Sequence, residues 1–181
     1  MQLGEDTITM SMTLNPVNEA AFQKAVQSLE TLNRAAVFHP TGTGKSCIAW
    51  KVVEAHPQTT FFWLVAGAQR LALRQAELTR YNGGTLPGNV RFCDCEKLAA
   101  ATPEQWVRLG EQKPGCIVLD CYHELSAVCW AQSVQKLLRM CPQAKVLGLG
   151  VPNGAPVCAA AQELFADCIV SHMTVAEAMA A

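Results

Sequence analysis

AAVFHPTGTGKSCIAW, residues 35–50, is the stretch on which the reading of this chain turns. Ala35 to Phe38 is an apolar run of strand length. Thr41-Gly42-Thr43-Gly44-Lys45-Ser46 follows it, and a helix with one apolar face is predicted from Gly44 to about Ala55. Glycine at 42 and 44 admits backbone conformations closed to residues with a Cβ, which lets successive N–H groups converge on one phosphate oxygen. The N-terminus of the following helix adds partial positive charge at the same point. The Lys45 ammonium is then placed to reach the β and γ phosphates, and the Ser46 hydroxyl to ligate Mg2+. Thr41, Gly42, Thr43, Gly44, Lys45 and Ser46 are therefore the candidate nucleotide-binding residues. His39 departs from the GxxxxGKS spelling at its first glycine. The bland alternative is a Gly/Thr-rich turn that precedes a lysine by coincidence. It accounts for the spelling but not for the strand before it and the helix after it.

Outward from this segment the chain alternates between two periods. Upstream, Ala20, Ala21, Ala25, Val26, Leu29 and Leu32 are spaced for one face of a helix running from Pro16 to about Asn33, with Asn15 and Asn18 as candidate caps. Downstream, a strand is expected over Thr60 to Val65, a helix from Ala68 to about Tyr81, a strand from Asn89 to Phe92 and a helix from Thr102 to Glu111. Gly115 to Asp120 (GCIVLD) reads as a strand apolar on both faces. A helix from about Leu125 to Met140, a strand from Ala144 to Leu149, a helix from about Val157 to Phe165, a strand from Asp167 to Val170 and a last helix from Thr174 complete the cycle. Strands apolar on both faces suit the centre of a parallel sheet covered by helices, so the pattern predicts a three-layer α/β/α sandwich with a mainly parallel sheet. Residues 1–15 are read as an N-terminal arm and 16–181 as a single domain.

Composition narrows the function classes. Lys plus Arg number 14 against 15 Asp plus Glu, so no global positive field marks the chain for nucleic acid or an anionic membrane. No apolar run approaches the roughly 18–20 residues of a membrane span, and a soluble protein is expected. Nine cysteines fall mostly in apolar or strand-like runs without a secretory signal ahead of them. They read as reduced thiols of a cytoplasmic protein. Zinc is the alternative, but the CxC at Cys93 and Cys95 has no partner pair at finger spacing. Trp63, Trp106 and Trp130 are expected to pack in the core or at its rim.

Asp120 ends the apolar run CIVL, a place from which a carboxylate can hold Mg2+ beside the phosphate loop. An Asp at a strand end also serves as a turn residue or helix cap, so its distance downstream of the loop is what favours the metal role. HPTGTGKS, FFWLVAGAQRLALRQ, GCIVLDCYHE and AKVLGLGVP, taken in order, resemble motifs I, Ia, II and III of the first RecA-like P-loop domain of superfamily-two (DEAD/DEAH-like) helicases. The nearest flavour is the bacterial group related to restriction-enzyme translocase subunits. The likeness spans about residues 16–180; motif I is specific, while the others are recognisable chiefly by position.

The resemblance implies an ATP- and Mg2+-binding helicase motor domain in which Lys45 and Asp120 are the catalytic pair. Ser46 and Asp120 hold the metal, and Asn18 takes the place where relatives read the base. Arg70 and Arg74 lie where relatives touch the nucleic-acid backbone. The residues themselves also allow a solvated helix face there, since two cations neutralise phosphate without reading sequence. The partners implied are DNA or RNA and a second RecA-like domain that lies outside this sequence. The sequence departs from the family at Cys121, where relatives carry the Glu that activates water. A missing general base typically costs about 10²–10⁴ in rate. Glu124 is the nearest substitute, His123 matches the motif II histidine, and Gly150, Val151 and Pro152 lack the hydroxyls of motif III. Hydrolysis by this chain alone is therefore expected to be weak or absent. A degenerate, non-hydrolysing nucleotide-binding or interaction module is the alternative of a different class; a small P-loop kinase would want an arginine-rich lid that is not evident.

Overall fold

The computed structural model describes residues 12–120, 122–152 and 159–180. Asn15 opens α1 (Pro16–Thr31): its side-chain oxygen accepts from the Asn18 N–H at 2.8 Å, and Pro16 occupies the first turn, where a missing N–H costs nothing. Of the two candidate caps it is Asn15 that caps. Residues 12–15 have no regular structure, and residues 1–11, the rest of the expected arm, lie outside the described residues.

From α1 the chain alternates as β1 (Arg34–Phe38), α2 (Lys45–Ala55), β2 (Phe61–Val65), α3 (Ala68–Tyr81) and β3 (Val90–Asp94). It continues through α4 (Cys95–Ala99), α5 (Pro103–Glu111), β4 (Cys116–Asp120), α6 (Ala127–Cys129), α7 (Gln135–Met140) and β5 (Lys145–Gly150). The final elements are α8 (Ala159–Phe165), β6 (Ile169–His172) and α9 (Val175–Ala180). The six strands form one sheet in the order β3-β2-β4-β5-β1-β6, and every pair in it is parallel.

Period-two alternation divides the strand residues between two cores. Phe61, Trp63 and Val65 join Ala35, Val37, Val118, Leu147 and Leu149 on the face covered by α1, α2 and α3. Phe62 and Leu64 point the other way with Ala36, Ile117, Leu119 and Val146, against Trp106 of α5, Trp130, Leu137 of α7 and Phe165 of α8. All five residues of β2 and of β4 are buried, as a strand covered on both faces requires. The chain is thus an α/β/α sandwich of three layers.

Three local features differ from the sequence reading. The span from Leu125 to Met140 is not one regular helix. A 3-10 turn (Tyr122–Glu124) precedes it, Ser126 caps α6 by accepting from the Cys129 N–H at 3.1 Å, and a π segment (Trp130–Val134) joins α6 to α7. Second, β6 begins at Ile169, two residues beyond the predicted start, because the Cys168 N–H is still bonded to Phe165 O at 3.0 Å as the chain leaves α8. Third, α4 has no counterpart in the reading: Asp94 ends β3 and caps the helix at once, accepting from the Glu96 N–H at 3.0 Å. No helix among the described residues is long and apolar enough to cross a membrane.

Candidate phosphate-loop site

β1 ends at the sheet's carboxyl edge and hands the chain to residues 39–44, after which α2 begins. Gly42 (φ +86°) and Gly44 (φ +90°) both adopt the left-handed region, where a Cβ is strained. The loop is closed from inside. Lys45, buried, donates from Nζ to His39 O at 2.7 Å and Pro40 O at 2.8 Å. The Thr43 hydroxyl donates to Pro40 O at 2.8 Å. Asn18, on α1, donates from Nδ2 to Thr43 O at 2.8 Å and so braces the loop from the neighbouring helix. Its other side-chain atom, Oδ1, is buried without a partner among the described residues. Cys47 and Ile48 send their N–H groups to Gly44 O, which leaves the N–H groups before them in α2 outside the helical ladder. Ser46 lies in that first turn.

His39, at the position of the missing glycine, is fully buried and shares a 2.8 Å hydrogen bond between Nε2 and Ser171 Oγ of β6. Burial first, then the charge of Lys45 and the neighbouring His172, push it down to about 4. Its ring is neutral at pH 7, and it ties the loop to the sheet edge. That role calls for a side chain where the general motif has none.

Asp120 closes β4 and is 3% exposed, on the same face of the sheet as α2 and α3. Its carboxylate is held on several sides. Trp63 Nε1 donates to Oδ2 at 3.1 Å, Arg74 Nε donates to the same oxygen, and Arg74 Nη2 reaches Oδ1 at 3.4 Å. Arg74 also pairs through Nη1 with Glu77 Oε2 at 2.5 Å, one turn along α3. Burial pulls the Arg74 guanidinium down, but Asp120 and then Glu77 outweigh it and hold it above its usual value. A cavity of about 190 Å³ opens at this point, lined by Thr41, Val65, Arg70, Leu73, Arg74, Asp120 and Glu124. Below the roughly 300–1,000 Å³ of whole-ligand pockets, it suits a phosphate group or a hydrated ion.

The structure therefore brings Thr41 of the loop and the Asp120 carboxylate to one cavity at the sheet edge. Both sequence-predicted cations of α3 meet acids there: Arg70 pairs with Glu124, and Arg74 with Asp120 and Glu77. Glu124 also approaches His123 Nε2 at 3.3 Å. His123 is buried with Nδ1 unpartnered among the described residues; burial, then Lys45 and Arg70, lower its pKa against the opposing pull of Asp120. Cys121, on which the water-activating role turns, lies outside the described residues. At Gly150 a Cβ would meet the Phe38 ring at 2.9 Å, so a side chain there requires Phe38 to shift.

Sequence reading missed two members of this constellation. Trp63 reads as packing alone, and Arg74 as a nucleic-acid contact or a solvated cation; neither reading points to Asp120. One signal was available: in adjacent parallel strands β2 and β4, Trp63 pairs with Val118 and so shares its face with Asp120. No known protein-family model matches the chain, and no curated protein does.

Proposed function

We propose that this chain binds a nucleoside triphosphate, ATP by resemblance, together with Mg2+ at the mouth formed by residues 39–46. In this reading it serves as the first RecA-like domain of a superfamily-two helicase or translocase. The observation that carries the reading is the loop itself: two left-handed glycines between a parallel strand and a helix, with Lys45 turned inward on the loop carbonyls. Lys45 exchanges those carbonyl oxygens for phosphate oxygens, a like-for-like swap of acceptors that leaves the ammonium hydrogen-bonded throughout. Ser46 and Asp120 supply oxygen ligands of the kind a hard divalent cation prefers. Bound with the nucleotide, that cation would neutralise phosphate charge.

Asn18 contributes by fixing Thr43, and through it the curvature of the loop. Arg70 and Arg74 would serve a nucleic-acid backbone only after leaving their acidic partners, so binding of DNA or RNA by the isolated chain is weak and salt-sensitive. A second RecA-like domain is the partner that the resemblance implies, and it would contribute charge stabilisation during phosphoryl transfer. Residence in the cytoplasm belongs to the same proposal and rests on the seven free thiols among the described residues.

A specific observation favours the second reading, a nucleotide-binding module that does not hydrolyse. Gly150 carries no hydroxyl, and a side chain there would have to displace the Phe38 ring, so the motif III contact that the resemblance calls for has no donor at that position. The test is a titration of a fluorescent ATP analogue with Mg2+, followed by steady-state hydrolysis. Lys45→Ala is expected to weaken binding by at least tenfold; equal binding by the variant removes the phosphate-loop reading. A gel shift at two salt concentrations checks the nucleic-acid arm, and salt-independent or absent binding removes it.

A further inference from the structure

Asp120 is a buried carboxylate, and a buried carboxylate needs a cation. The chain supplies one from α3. Arg74 is 19% exposed on its side chain, meets both Asp120 oxygens, and holds Glu77 with its remaining arm. The same carboxylate is the metal ligand in the proposed function, on which this inference rests. Mg2+ takes oxygen ligands at about 2.0–2.1 Å in a near-octahedral shell, and a guanidinium on the same oxygens blocks that shell and repels its charge. Glu77 provides somewhere else to go: it is one turn away, already bonded to Arg74, and 25% exposed. The guanidinium can swing off Asp120 without losing its partner on α3.

We propose that Arg74 and the divalent cation of a bound nucleotide are alternative occupants of Asp120, so that Arg74 sets the metal dependence of nucleotide binding. Arg74 is a positioning residue in this scheme. It acts through Asp120, and Glu77 holds it in the displaced state.

The experiment measures the affinity of a fluorescent ATP analogue for the full chain in Mg2+ and in EDTA, and takes the ratio of the two. Arg74→Gln removes the competitor and is expected to raise the ratio about tenfold over the unaltered chain, as removal of one charge-assisted contact would. Glu77→Gln removes the resting place and is expected to lower it. Arg74→Lys keeps the charge and stem but loses the planar fork, and an intermediate rise is expected; it serves as the measured variant if Arg74→Gln does not fold. Folding is checked by circular dichroism and thermal melting. A ratio in both Arg74 variants no higher than in the unaltered chain overturns the inference, and Lys45→Ala still losing affinity leaves the phosphate-loop reading standing. No binding by the unaltered chain but Mg2+-dependent binding by Arg74→Gln supports both. No binding by either, with or without Mg2+, overturns the phosphate-loop reading and this inference together.

Discussion

Alanine at 42 and alanine at 44 make the same chemical change at two positions of one loop, and the structure assigns them different costs. Both glycines sit at positive φ, +86° and +90°, so each substitution carries a left-handed backbone term of roughly 1–2 kcal/mol. At Gly42 a Cβ meets nothing within 4 Å. At Gly44 it lies 2.8 Å from Asn18 Nδ2, the atom that donates to Thr43 O. Asn18 must rotate away and give up that bond, a further loss of about 0.5–1.5 kcal/mol. Gly44→Ala is therefore expected to destabilise by about 1 kcal/mol more than Gly42→Ala, a difference of about 2–4 °C in melting temperature for a chain of this size. In an Asn18→Ala background the bond is already gone and the space is open, so the two alanines should cost the same. Urea unfolding of the two single variants, Asn18→Ala and the two doubles measures this directly. Equal costs for the two alanines in the native background, within the roughly 0.3–0.5 kcal/mol over which independent sites add, would refute the claim that Asn18 braces the loop at that point.

Three further outcomes follow from the same geometry. His39 is held at about 4 in the folded chain against 6.5 unfolded, so between those values the unfolded state binds the extra proton. Stability is then full above pH 6.5 and falls by up to about 3 kcal/mol as pH drops to 4; His39→Asn should flatten that part of a stability-against-pH curve, and a parallel curve would contradict it. Gly150→Ser forces Phe38 aside and is expected to cost about 1–3 kcal/mol by chemical denaturation, with partial rescue by Phe38→Leu. Trp63→Phe removes the indole donor from Asp120 and should cost about 1.5–3 kcal/mol, most of which disappears when Asp120→Ala is already present; additive costs would mean that the 3.1 Å bond contributes little.

The parts legible in the sequence are those fixed by short-range pattern. The reading placed α3 at Ala68–Tyr81 with the bounds observed, because Gly67 interrupts the apolar run before it and a turn-rich stretch follows Tyr81. β2 and β4 were equally plain, since five consecutive apolar or terminal acidic positions admit few other structures. α4 was hidden because five residues are too few to display a helical period and because its cap, Asp94, doubles as the last residue of a strand. The π segment was hidden because one widened turn leaves the apolar spacing of its neighbours almost unchanged. In the site, the loop could be read locally, whereas the partners of Asp120 lie 57 and 46 residues away. Trp63 and Arg74 look like core and surface until the strand order is known.

That strand order also explains why Asp120 depends on α3. β5 lies between β1 and β4, so the loop that follows β1 and the carboxylate that ends β4 start about two strand spacings apart, near 9.6 Å. Lys45 is turned back onto His39 and Pro40, the carbonyls of its own loop. Leu149, the β5 residue paired with Asp120, is apolar and cannot balance its charge. Arg74 of α3, the helix that follows β2, is a cation that reaches Asp120. Breaking a buried ion pair by removing one partner typically costs about 3–5 kcal/mol, so the chain cannot leave Asp120 alone. Charge balance at a buried strand end ties α3 to the carboxyl edge of the sheet.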